Sequence, residues 1–149
     1  MSVLLWSLLG VVAGMLISLQ APINAQLAHG LGMPLAAAAA SFVAGAVMLI
    51  AVTVVVQQAS GTTITWSVPP LWMFIAGGCL GAGYILCAII LTPRIGTAAM
   101  MAFVVSGQLI AGLLLDKLGY FGLAVRELTL GRVTGACLLV LGALLIRFT

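Results

Sequence analysis

The chain has 149 residues, 64% of them hydrophobic and 5% charged, with a mean hydropathy of +1.38 and a formal net charge of +3. The first charged side chain is Arg94, and the whole sequence holds five basic and two acidic residues. A soluble surface carries charge on roughly a quarter of its residues, so lipid is the solvent for most of this chain. That excludes an appended soluble catalytic domain, and the small, scattered positive charge excludes a nucleic-acid surface.

Five stretches are long enough to cross about 30 Å of hydrocarbon, which takes ~20 helical residues. They make residues 1–149 a single all-α transmembrane domain. The first, Val3 to Ile23, lacks the basic leader of a signal peptide, and its uncharged run exceeds a signal core. It is expected to be a retained helix. Asn24 to Pro34 reads as a loop containing Gln26 and His29, with Pro34 suited to the first turn of helix 2, Leu35 to Val56. Gln57 to Pro70, rich in Ser, Thr, Gly and Pro, leads to helix 3, Leu71 to Leu91. Thr92-Pro93-Arg94 reads as a tight hairpin that makes helices 3 and 4 antiparallel neighbours, helix 4 running from Ile95 to Leu115. Asp116 to Glu127 holds most of the charge. Helix 5 is placed at Leu128 to Ile146, although its unbroken apolar run covers only Val133 to Ile146. Arg132 would have to snorkel to the headgroups; otherwise the chain has four spans and an interfacial segment.

Small residues recur at helical spacing: Gly10, Gly14 and Ser18; Ala37, Ser41 and Gly45; Gly77 and Gly81; Gly107 and Ala111; Gly131 and Gly135. Lipid supplies no hydrophobic drive between helices, so close backbone approach holds them together. Small residues are also common in any membrane helix, but a stripe on every helix points to a compact bundle and an oligomer. Cys79, Cys87 and Cys137 lie in apolar runs, an odd number that reads as small packing residues and not as a disulfide framework or metal site.

Orientation follows the Lys/Arg imbalance near span ends. With five spans, the side of the N-terminus receives Lys117, Arg126 and Arg132, and the other receives Arg94 and Arg147. Trp6, Trp66, Trp72, Tyr120 and Phe121 also fall toward the first side. Such near-balance is met either by other insertion cues or by insertion both ways. An odd number of spans makes the second reading attractive, because an inverted partner gives a homodimer the architecture of an inverted-repeat transporter.

Polar groups within the spans need partners that lipid does not offer. Gln20 and Asn24 lie one turn apart on one face of helix 1, Ser41 is on helix 2, Tyr84 on helix 3, and Ser106 and Gln108 on helix 4. Ser41 and Ser106 fit interhelical or backbone bonding. For Gln20, Asn24 and Gln108, interhelical glue and a water-filled cavity are both open. Tyr84 could pack with its hydroxyl bonded to a neighbour. His29 reads as interfacial, and Pro22 frees the Ser18 carbonyl or ends the helix. No span has a carboxylate or Lys at its centre. No Ser/His/Asp set, metal-ligand spacing or phosphate loop is present, so neither an enzyme nor a metal or other cofactor is expected.

The stretches Gln20-Ala-Pro-Ile-Asn-Ala-Gln-Leu27, Ser41-Phe-Val-Ala-Gly45, Gly77-Gly-Cys-Leu-Gly-Ala-Gly-Tyr84, Pro93-Arg-Ile-Gly96, Gly107-Gln-Leu109 and Asp116-Lys-Leu-Gly119, with Gly135 and Gly142, occur in order along the chain. Together they resemble the YdcZ-like branch of the drug/metabolite transporter superfamily. The resemblance implies a small bacterial inner-membrane protein of about five helices, a dual-topology antiparallel dimer and transport of an unspecified substrate. The superfamily's small multidrug-resistance branch uses a central Glu on helix 1, where this chain has apolar residues and Ser18. Proton exchange and cation selectivity are therefore not expected, and Gln20, Asn24 and Gln108 become the foremost pathway residues.

The expected function is a secondary transporter or facilitator for a small organic solute, working by alternating access of an antiparallel homodimer in the lipid bilayer. Its pathway candidates are Gln20, Asn24, Ser41, Tyr84, Ser106 and Gln108. The helix-packing candidates are Gly10, Gly14, Gly45, Gly77, Gly81, Gly107, Gly131, Gly135 and Gly142. The alternatives are a non-transporting assembly subunit or a pore.

Overall fold

The computed structural model describes residues 3–66 and 69–148. Among these there is no strand. Five helices follow in order: α1 (Val3–Leu31), α2 (Pro34–Ser60), α3 (Leu71–Ile95), α4 (Thr97–Leu118) and α5 (Leu130–Phe148). All five are long and apolar enough to cross a membrane. At 1.5 Å per residue, the 29 residues of α1 reach about 43 Å and the 19 of α5 about 28 Å. The fifth span therefore forms, at close to the minimum useful length.

Two boundaries differ markedly from the sequence reading. The segment assigned to a loop from Asn24 is helical, and α1 continues through Pro22 to Leu31. Proline removes one ladder hydrogen bond, whereas unwinding would leave several backbone groups unpaired in an apolar medium. Likewise, Thr92, Pro93 and Arg94 remain in α3, and the break falls at Gly96, whose φ of 81° only glycine adopts readily. At the first turn, Met33 is extended (φ −148°, ψ 113°), as the residue before a proline prefers, and Pro34 opens α2.

The chain forms two compact units, Met1–Pro93 and Arg94–Thr149. In the first, α1 and α2 pack as a hairpin. Its core is thin: Ala28, Ala37, Ala38, Ile85 and Ile89 are buried together, with Tyr84 packed against them. Alanines on both hairpin helices let the backbones approach, which replaces the hydrophobic drive missing in lipid.

In the second unit α4 packs on α5. Arg132 does not rely on snorkelling alone. Its guanidinium pairs with the Asp116 carboxylate at the end of α4 and donates to the Glu127 carbonyl at 3.3 Å. The Arg126 N–H donates to the Asp116 carbonyl at 2.8 Å. Gly119 ends α4 at φ 64°, and a Cβ there would lie 2.6 Å from Val125 Cγ2. The connection is thus held at both ends.

Large apolar side chains such as Leu49, Ile50, Val55 and Leu80 are exposed on the helices, as side chains solvated by acyl chains must be. Cys79, Cys87 and Cys137 are exposed too, so they are not packing residues within the chain. A span is apolar all round, and position in an apolar run does not reveal an inward face. Of the proposed packing glycines, Gly81 meets the Phe42 ring, with 3.2 Å left for a Cβ. Around Gly10, Gly14, Gly45, Gly77, Gly107, Gly131, Gly135 and Gly142 nothing lies within 4 Å of that position.

Candidate functional site

Four of the six pathway candidates lie in the first unit, and one of them, Tyr84, packs against its alanine-rich core. On α1, Ala21, Asn24 and Ala28 are buried at the spacing of one helical face. Ala28 belongs to the core, so that face turns Asn24 inward one turn earlier. Ser41, one turn after Ala37 on α2, is half-buried. Tyr84 lies against the core beside Ile85. Gln20, one turn before Asn24, is half-buried.

Asn24 stands out energetically. The residue is 5% exposed and its amide makes no hydrogen bond among the described residues, yet its polar atoms are not sealed off as the Thr92 hydroxyl is. The side chains of Gln20, Ser41 and Tyr84 also make no hydrogen bond there. An amide sealed off without partners would cost roughly 1–3 kcal/mol on protein scales, so one that makes no bond keeps an opening to something polar. Such a group is retained where something else binds it: water, a solute or a second chain. The charge inventory limits what that is, since no side chain from Met1 to Pro93 is charged apart from the option of His29. Amides and hydroxyls offer donors and acceptors at fixed points and no net field.

In the second unit the two α4 candidates separate. Ser106 is 6% exposed and its hydroxyl donates to the Ala102 carbonyl at 2.8 Å, so it is satisfied within its own helix. Gln108, two residues on, is exposed and makes no hydrogen bond among the described residues. A glutamine on the outside of a spanning helix needs a partner that lipid does not provide.

One residue escaped the sequence reading. Thr92 was counted as part of a hairpin, yet it is 8% exposed in the last turns of α3 and its Oγ1 has no partner among the described residues. The available signal was a hydroxyl immediately before a proline at a span end. Two further hollows flank α2. An apolar groove of about 450 Å³ between α2 and α3 is lined by residues including Ala38, Phe42, Gly78 and Leu86. A groove of about 420 Å³ near the far end of α2 is bordered by Thr53, Gln57, Thr63 and Trp66, and the Trp66 ring stacks on Phe74 at 6.5 Å. Among the described residues no three His, Cys, Asp or Glu side chains are grouped to hold a metal.

Five apolar spans with uncharged polar groups turned into them define a multi-pass helical membrane protein. The family model described as "Putative inner membrane exporter, YdcZ" matches residues 5–145, and the chain belongs to that family. The family is described as one of inner-membrane exporters, which is not an enzyme class, and the five apolar spans of this chain agree with a multi-pass protein of that membrane. A stretch of 75 residues is 37% identical to the Inner membrane protein YdcZ of Escherichia coli (strain K12), covering 50% of each chain. The chain thus aligns with about half the length of that relative. No solved structure matches.

Proposed function

We propose that the protein is a secondary transporter or facilitator for a small neutral or zwitterionic organic solute, acting as an antiparallel homodimer by alternating access. The observation that carries this reading is Asn24: an uncharged amide on the buried face of a charge-free helix, two residues after Pro22, that makes no hydrogen bond among the described residues. Proline at position 22 supplies no N–H to the Ser18 carbonyl, so a backbone acceptor joins the amide on the same helix. A carbonyl left without its ladder donor in a spanning helix is tolerated where protein or a water-filled cavity meets it.

The open glycine faces support the dimer, and the exposed Gln108 supports a wet hollow within it. Gly10, Gly14, Gly131 and Gly135 leave room for a second backbone, and the Gln108 amide calls for polar company. Two oppositely inserted copies would enclose Gln20, Asn24, Tyr84 and Gln108 of each around a midplane hollow. Family membership supports export and leaves the solute open.

Thermal-shift screening of metabolites on the purified dimer names a ligand, and uptake of that ligand into liposomes then tests the site. Gln108→Leu abolishes flux and leaves dimerisation intact. Normal flux in that variant removes Gln108 from the pathway. A purified protein that moves no solute and co-purifies with a different membrane protein is an assembly subunit instead.

A further inference from the structure

The buried face of α3 consists of Ile85, Ala88, Ile89 and Thr92, spaced as one helical stripe. Its first members enter the core with Ala28, Ala37 and Ala38. Ala28 lies three residues from the end of α1, and Ala37 three residues from the start of α2. The core is therefore a layer at the turn end of the hairpin. Asn24 lies one turn inside that layer on α1, and Thr92 continues the α3 stripe one turn beyond it toward the helix end.

Among the described residues, the Thr92 hydroxyl is fully buried and has no hydrogen-bond partner. Ser18, Thr53, Ser106 and Thr134 each donate to the carbonyl four residues earlier, at 2.7–3.0 Å. That bond is the cheapest way to satisfy a hydroxyl in a spanning helix. Thr92 has the Ala88 carbonyl at the same offset and does not use it, although it is buried. The next residue is Pro93, which supplies no N–H to the Ile89 carbonyl. A free hydroxyl and a carbonyl deprived of its ladder donor thus lie within one turn of each other on α3.

We propose that Thr92 is a solute-contacting residue, a second polar station separated from Asn24 by the alanine–isoleucine layer, and that this dry layer is the gate between them. The inference rests on the transporter reading above. A solute that leaves the Asn24 amide meets an uncharged hydroxyl next, so the cargo offers both hydrogen-bond donors and acceptors and needs no counter-charge. On α1 and α2 the layer offers only alanine methyls, which part with little repacking, and that suits a gate better than a permanent seal.

Single-cysteine labelling of the full chain in liposomes tests this without knowledge of the solute. In a background with Cys79, Cys87 and Cys137 changed to Ala, Thr92→Cys is compared with Leu91→Cys, its exposed neighbour at the same depth. The probe is the anionic thiol reagent 2-sulfonatoethyl methanethiosulfonate, which reacts with a hydrated thiolate. Thr92→Cys is modified about tenfold faster than Leu91→Cys, because only a thiol on a wetted path ionises readily. Equal or slower modification overturns the proposal. Thr92→Val provides the second readout: its melting temperature equals or exceeds that of the parent, since no internal hydrogen bond is lost. A lowered melting temperature makes the hydroxyl structural and also overturns the proposal. Asn24→Cys separates the two readings. Labelling there without labelling at Thr92 ends this inference alone, and labelling at neither position ends the hollow itself.

Discussion

Replacing Asn24 by Leu separates a pathway amide from interhelical glue by the sign of its effect on stability. The side chains are close in shape, so packing changes little. Interhelical polar bonds in membrane proteins average about 0.6 kcal/mol and reach about 1.7. If Asn24 were such glue, the variant would lose stability by that amount. The structure instead gives Asn24 5% exposure and no partner among the described residues. Removing an amide that makes no hydrogen bond relieves a desolvation penalty of at most roughly 1–3 kcal/mol, and nothing where its polar atoms keep an opening to water. Leucine also has a helix propensity higher by a few tenths of a kcal/mol. Both contributions have the same sign, so a net loss can only come from amide bonds broken elsewhere. The expected result is a midpoint of thermal or denaturant unfolding in detergent that is unchanged or higher, together with loss of flux. At roughly 2–4 °C per kcal/mol for a chain of this size, the two readings are resolved by a standard melt. A lowered midpoint with preserved flux refutes the assignment of Asn24 to the pathway.

Gly119→Ala carries two separable costs, about 1–2 kcal/mol for a side chain at φ 64° and a further clash with Val125 Cγ2, and adding Val125→Ala recovers only the second. Full recovery by the double variant in a denaturation series removes backbone strain from the explanation. Arg132→Leu loses the pair with Asp116, whose two side chains are each 30% exposed, and the expected destabilisation is about 1 kcal/mol after allowance for solvent screening. Because Arg132 holds the start of α5 to the end of α4, proteolysis of the connection between Gly119 and Thr129 accelerates in that variant; an unchanged cleavage rate shows the pair to be incidental.

Hydropathy and charge made the five spans legible, because the bilayer demands length and apolarity and little else. Pro34 marked the start of α2 for a local reason, its fixed φ and missing N–H. Local reasoning then failed at Asn24. Asn, Gln and His around a proline look like a loop to rules learned in water, yet α1 runs through them because lipid leaves no substitute for a backbone hydrogen bond. The same physics carried α3 past Pro93 to Gly96. The spacing of Gln20 and Asn24 did reveal a shared face, and Asn24 is buried on it. Thr92 was not legible, because its interest lies in a hydrogen bond it fails to make. The three cysteines were misread because, on a helix apolar around its whole circumference, sequence pattern cannot separate a lipid face from a packed one.

The account depends on two copies inserted in opposite senses, so that their amides share one aqueous hollow. Fusing the C-terminus of the full chain separately to a reporter active only in the cytoplasm and to one active only in the periplasm tests this most directly. Comparable activity from both fusions is the predicted result, since the basic residues divide three to two across the membrane. Activity from one fusion alone means a single orientation and contradicts the antiparallel pair.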